Sequence, residues 1–160
     1  MTRRTPLMLV VALLAGCANV PPGETATTAR PMIEQIETTR DGTSTAATVD
    51  GYKVDLAQRI YAVNSTQVYT TRPQALLRSV VVLKYTVDSA GNLLRSEIAR
   101  SNRDRITEAT ALATLRKSAP FPKPSPHLLR NGRLEMHESW LFNNDGRFQL
   151  RSLALVQMNE

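Results

Sequence analysis

Ser79-Val80-Val81-Val82-Leu83-Lys84-Tyr85-Thr86-Val87-Asp88 decides how the rest of the chain is read. Valine, threonine and tyrosine suit a pleated strand. With a period of two, Val81, Leu83, Tyr85 and Val87 share one face, and Lys84, Thr86 and Asp88 share the other. One face is therefore expected to be buried and the other wet, the mark of an antiparallel sheet. Ser89-Ala90-Gly91-Asn92 follows as a turn signal, and Leu93–Ser101 is expected to pair back as a second strand.

Upstream, Val54, Leu56, Ala57, Ile60 and Val63 follow helical spacing and predict a helix over Tyr52–Asn64. Downstream, Asp104–Ser118 returns to helical spacing, with Ile106, Ala109, Leu112, Ala113 and Leu115 as the expected buried stripe. Asp104 and Glu108 near its start, and Arg116 and Lys117 near its end, favour the helix dipole. Pro120-Phe121-Pro122-Lys123-Pro124-Ser125-Pro126 stops the helix and predicts a stiff extended connector. A third strand is expected over Arg133–Phe142, a tight turn at Asn143-Asn144-Asp145-Gly146, and a fourth strand over Arg147–Val156. The order argues an α+β fold: a small antiparallel sheet of three to four strands packed against two helices.

The beginning of the chain is of another kind. Arg3 and Arg4 precede a short apolar run, Leu7–Leu14, which ends in Leu14-Ala15-Gly16-Cys17. The run is shorter than the roughly 20 residues a bilayer span needs and reads as a signal peptide. Its last four residues resemble the lipobox of bacterial lipoproteins. That resemblance implies cleavage after residue 16, a diacylglycerol thioether on Cys17 and, with Ala18 rather than Asp next, sorting to the outer membrane. A lipid on Cys17 also accounts for the lone cysteine of an exported chain, and no other cofactor is expected. Residues 17–50 hold Pro21-Pro22-Gly23, many threonines and few large apolar side chains. They are expected to form a flexible tether, with a coil reach of about 30 Å, and residues 51–160 the folded domain.

The run Val80–Leu93, followed by Ile98, Ser101, the Ala109–Leu115 helix and Pro120-Phe121-Pro122-Lys123-Pro124, resembles the C-terminal periplasmic domain shared by TonB and TolA. The likeness covers Tyr52–Phe142. Arg100-Ser101-Asn102 stands where that family often has Ser-Ser-Gly. The resemblance implies a passive binding module that takes a segment of an envelope protein or outer-membrane receptor as an added strand. The family's usual pairing edge is its third strand. Here the fourth strand is expected to fold onto that edge, making Arg147, Gln149 and Arg151 the new partner-binding edge. A short tether and the lack of an intramembrane ionisable residue argue against coupling to a proton-driven motor. Edge exchange between two copies of the chain is compatible with the same architecture.

Cleavage would remove two arginines and no acid, leaving a mildly basic chain of 18 basic against 14 acidic residues. The basic residues are scattered and aromatics few, which excludes a nucleic-acid footprint. Binding to peptidoglycan or anionic lipid is the structural alternative, and a TonB-type part in transport across the outer membrane is a further one. His127 and His137, the only histidines, have no neighbours at metal-ligand spacing. Glu138 falls on the apolar register of the third strand and is expected at a sheet margin or beside an arginine. Trp140 is expected in the core. Ser139 and His137 share a strand face without a third group to orient them, so no enzymatic activity is expected.

Overall fold

The computed structural model describes residues 36–154, which fall within one compact unit. Helix α1 spans Val49–Val63, strand β1 Ser79–Asp88, β2 Leu93–Arg100, helix α2 Arg105–Ser118, β3 Arg133–Phe142 and β4 Phe148–Leu150. The strands form one antiparallel sheet in the order β2-β1-β3-β4. The fold is the small α+β domain that the alternation in β1 predicts.

β1 is the axis of the sheet. Val81, Leu83, Tyr85 and Val87 are at most 1% exposed, and each faces a residue of β3 in unbroken register, from Ser79 opposite Phe142 to Asp88 opposite Arg133. Leu134, Met136, Trp140 and Phe142 extend the same buried face across β3, and Phe148 and Leu150 extend it across β4. Phe148 packs near Phe142 and Trp140, with ring centroids 5.7 and 6.5 Å away. From α1, Tyr52, Leu56, Ala57, Ile60 and Tyr61 cover this face. Thr48 caps α1, its hydroxyl accepting from the Gly51 N–H, so the helix starts three residues before its first fully buried side chain.

α2 packs through a different face from the expected one. Its buried row is Thr107, Ala111, Thr114, Leu115 and Ser118, whereas Ile106 is 67% exposed and Ala109 and Ala113 face solvent. The hydroxyls tolerate burial because they bond to their own helix: Thr114 Oγ1 donates to the carbonyls of Thr110 and Ala111, and Ser118 Oγ to that of Thr114. Thr114 Oγ1 also accepts from the indole N–H of the fully buried Trp140 at 3.1 Å. Short polar side chains thus let α2 lie close to the sheet and satisfy its one tryptophan.

The β1–β2 turn is tied to the proline-rich connector. Gly91 has φ +82°, a conformation suited to glycine, and its carbonyl accepts from the Phe121 N–H at 2.9 Å. Phe121 is buried in the core cluster, and the Tyr52 hydroxyl donates to the Pro122 carbonyl at 2.6 Å.

The expected tether boundary moves. The Lys123 N–H donates to the Gly42 carbonyl, the Ser44 N–H to the Lys123 carbonyl and the Ser125 hydroxyl to the Ser44 carbonyl. Ser44 is 1% exposed and bonds the Asp55 carboxylate. Residues 38–48 therefore belong to the folded domain rather than to a tether ending at residue 50. The cause is the connector: its prolines donate nothing, and the threonine- and serine-rich segment satisfies part of its backbone. The expected signal peptide, Cys17 and the first part of the expected tether lie outside the described residues.

Candidate partner-binding edge

A four-stranded open sheet has two outer edges, each a row of backbone donors and acceptors available to another strand. In this fold the two edges are not equivalent.

The β4 edge is closed. β4 lies against β3, as the Asn143–Gly146 turn implied, but it is only three residues long, because the chain turns at Arg151–Leu153, where the Leu153 N–H donates to the Leu150 carbonyl. Val68 bridges Phe148 in parallel, and the Tyr69 N–H donates to the Phe148 carbonyl at 3.1 Å. Gln149, 2% exposed, donates its side-chain amide to the carbonyls of Tyr69 and Thr71. Arg147 and Arg151 are exposed but lie outside the strand, and Arg147 pairs with Asp145 at 2.7 Å. The expected edge of Arg147, Gln149 and Arg151 is thus not available for strand addition. An irregular segment some 80 residues earlier in the chain fills it, and no local sequence pattern signals that contact.

The β2 edge is open among the described residues. β2 pairs with β1 on its inner side only. Its regular stretch sets Ile98, Glu97, Ser96 and Arg95 opposite Leu83, Lys84, Tyr85 and Thr86. Bulges at Leu94 and Ala99 flank that stretch, where the register with β1 shifts. The pairing places Ser96 and Ile98 on the helix-covered face, and Arg95, Glu97 and Arg100 on the wet face beside Lys84. Exposed large apolar side chains concentrate here: Leu94 is 48%, Ile98 37% and Ile106, in the first turn of α2, 67% exposed.

The same region is basic. Arg95 pairs with Glu97 at 2.7 Å, and Arg78 with Asp104 at 2.8 Å. The Arg78 guanidinium and the Thr107 and Ile106 amides hold the Asp104 carboxyl below the usual range. Glu108 accepts from the Ser101 hydroxyl. Arg100, Arg103 and Arg105, all exposed, form no ion pair among the described residues.

A second feature lies beside β3 and the first turns of α1. A cleft of about 460 Å³ is lined by Asp50, Lys53, Val54, His137, Glu138, Ser139, Arg151 and Ser152. Glu138 is 4% exposed, so it is buried rather than marginal, and no arginine pairs with it. Its carboxylate accepts instead from the Ser139 N–H at 2.7 Å and from the Ser152 hydroxyl. Burial pushes its carboxyl above the usual range, with the Ser152 hydroxyl, the Ser139 amide and the Lys53 charge pulling the other way. Both oxygens are thus engaged within the protein, and the residue reads as a satisfied buried carboxylate rather than a poised base.

His137 is exposed on the wet face, and His127 contacts the Ala47 carbonyl through Nε2 at 2.9 Å. Among the described residues no group of three or more His, Cys, Asp or Glu is placed to hold a metal, and no helix is long and apolar enough to cross a membrane. Compared with known proteins, the chain matches no family model, no curated protein and no solved structure.

Proposed function

We propose that this chain is a protein-binding module of the bacterial cell envelope, anchored through a lipid on Cys17 at the periplasmic face of the outer membrane. It takes an extended segment of an envelope protein or receptor as an added strand beside β2. The observation that carries this reading is the asymmetry of the sheet edges: β4 is covered by Val68–Thr71, while the eight residues of β2 keep a free outer side among the described residues. The lipobox-like Leu14-Ala15-Gly16-Cys17 supports the proposed location, and the likeness of Val80–Pro124 to the TonB and TolA domain supports the proposed binding mode. Nothing in this reading requires catalysis or energy transduction.

The test is cross-linking mass spectrometry on intact cells that express the chain, with membrane fractionation of the same sample. The proposal expects outer-membrane fractionation that is lost in Cys17→Ala, and protein links clustered on Leu93–Arg105. Links to motor proteins of the inner membrane would contradict it. The basic balance of the chain supports a second reading, a structural lipoprotein that binds peptidoglycan or anionic lipid. That reading expects pull-down by purified cell wall or anionic vesicles that disappears at high salt.

A further inference from the structure

We infer that the segment received at β2 alternates acidic with apolar side chains. The inference rests on the strand-addition reading and names the chemistry of its partner.

A strand laid beside β2 sends alternate side chains to the two faces of the sheet. On the helix-covered side it meets Ile98, 37% exposed, and Ile106, in the first turn of the helix that follows β2, is 67% exposed. Leu94 stands in the bulge at the other end of the strand, 48% exposed. These are three of the five exposed large apolar side chains in the described structure, so an apolar row on the partner has surface to cover. On the wet side the partner meets Arg95, Glu97 and Arg100, and beyond the strand end Arg103 in the β2–α2 loop and Arg105 at the start of α2 are also exposed. Both acidic residues of Leu93–Arg105 are already engaged, Glu97 by Arg95 and Asp104 by Arg78. Arg100, Arg103 and Arg105 are left uncompensated among the described residues, and an acidic row neutralises them.

The same charges argue against a second copy of this chain as the occupant. A second β2 brings further unpaired arginines and no free carboxylate from Leu93–Arg105, so it leaves Arg100, Arg103 and Arg105 uncompensated. They also argue against a basic segment.

The test uses the full chain in neutral detergent and two synthetic peptides, one alternating Val with Glu and one alternating Val with Lys, followed by amide chemical shifts. The Glu peptide is expected to shift Leu93–Arg100 and to bind at least about tenfold tighter than the Lys peptide at low salt, an advantage that shrinks as ionic strength rises. The exposed charge reversal R100E/R103E is expected to reverse the preference, and Ile106→Glu to weaken the Glu peptide with the fold intact. Equal binding of both peptides at β2 overturns the acidic partner and leaves strand addition standing. Binding of neither there overturns both. A salt-weakened dimer linked through β2, or binding of phosphatidylglycerol vesicles in place of the peptide, overturns the inference in favour of a second copy or a lipid surface.

Discussion

Gly91→Ala is expected to destabilise the domain by about 3 kcal/mol, far more than the same change at the other left-handed glycines. Three effects add. A residue with a Cβ at φ +82° costs about 1 kcal/mol of backbone strain. The new Cβ would stand 2.1 Å from the Phe121 carbonyl oxygen and 3.0 Å from its carbon, so the connector must retreat by more than an ångström to reach ordinary contact. That movement breaks the Phe121 N–H to Gly91 carbonyl bond, a net loss of about 1 kcal/mol. It also lifts Phe121, 4% exposed, part-way out of the core, which costs about 1 kcal/mol if half its burial is lost. The connector cannot yield freely, because Tyr52 holds Pro122 from the other side at 2.6 Å. Gly132 and Gly146 have φ +72° and +83° but nothing within 4 Å of an added Cβ, so alanine there meets only the strain of about 1 kcal/mol. Urea unfolding followed by the fluorescence of Trp140 measures all three. The midpoint is expected to fall by about 2 M for Gly91→Ala and by under about 1 M for the two controls. Gly91→Asn relieves the strain but not the collision, and should behave like the alanine variant. A Gly91→Ala variant as stable as Gly146→Ala would refute the account of the turn as clamped to the connector.

Three further outcomes follow from the same contacts. Glu138 carries a folded-state pKa raised by burial, so the folded protein holds a proton where the unfolded chain has released it. Stability relative to Glu138→Gln is therefore full at acid pH and is lost as pH rises through the carboxylate range. Parallel thermal melts of the two proteins against pH check it, and a gap that widens toward acid pH in favour of glutamine would have the wrong sign. Thr114→Val leaves the buried Trp140 N–H without its acceptor and is expected to cost about 2 kcal/mol in urea unfolding, with a shift in tryptophan emission. Thr48→Ala removes the cap of α1 and should cost about 1 kcal/mol in the same assay.

How much of the molecule is legible in its sequence depends on whether a feature is written in hydropathy. β1 and β3 have the expected bounds, Ser79–Asp88 and Arg133–Phe142, because a strand buried on one face alternates visibly. The packing face of α2 is not legible that way. Counting apolar residues selects Ile106, Ala109 and Ala113, whereas the sheet receives Thr107, Thr114 and Ser118, whose hydroxyls bond within the helix. The spacing of Thr107, Ala111, Thr114 and Ser118 is helical, so small size rather than hydrophobicity was the available signal. The span of β4 is overestimated for a related reason: Leu153 and Val156 continue an apolar pattern, but the backbone turns after Leu150, the Leu153 N–H donating to the Leu150 carbonyl. The closing of the β4 edge is not legible because its cover comes from Val68–Thr71, an irregular segment whose pairing is long-range. Likewise the docking of residues 38–48 is invisible in a threonine-rich composition, since much of it runs through the backbone groups of Gly42, Ser44, Ala46 and Ala47.

The central claim is that β2, not β4, receives the partner. The most direct measurement places a photoreactive side chain in living cells at Leu94, exposed on β2, and separately at Arg147, exposed beside β4. The account predicts a discrete cross-linked protein from Leu94 and none from Arg147, with the Leu94 product lost when Arg100 and Arg103 are reversed to glutamate. A discrete product from Arg147 with none from Leu94 would contradict it.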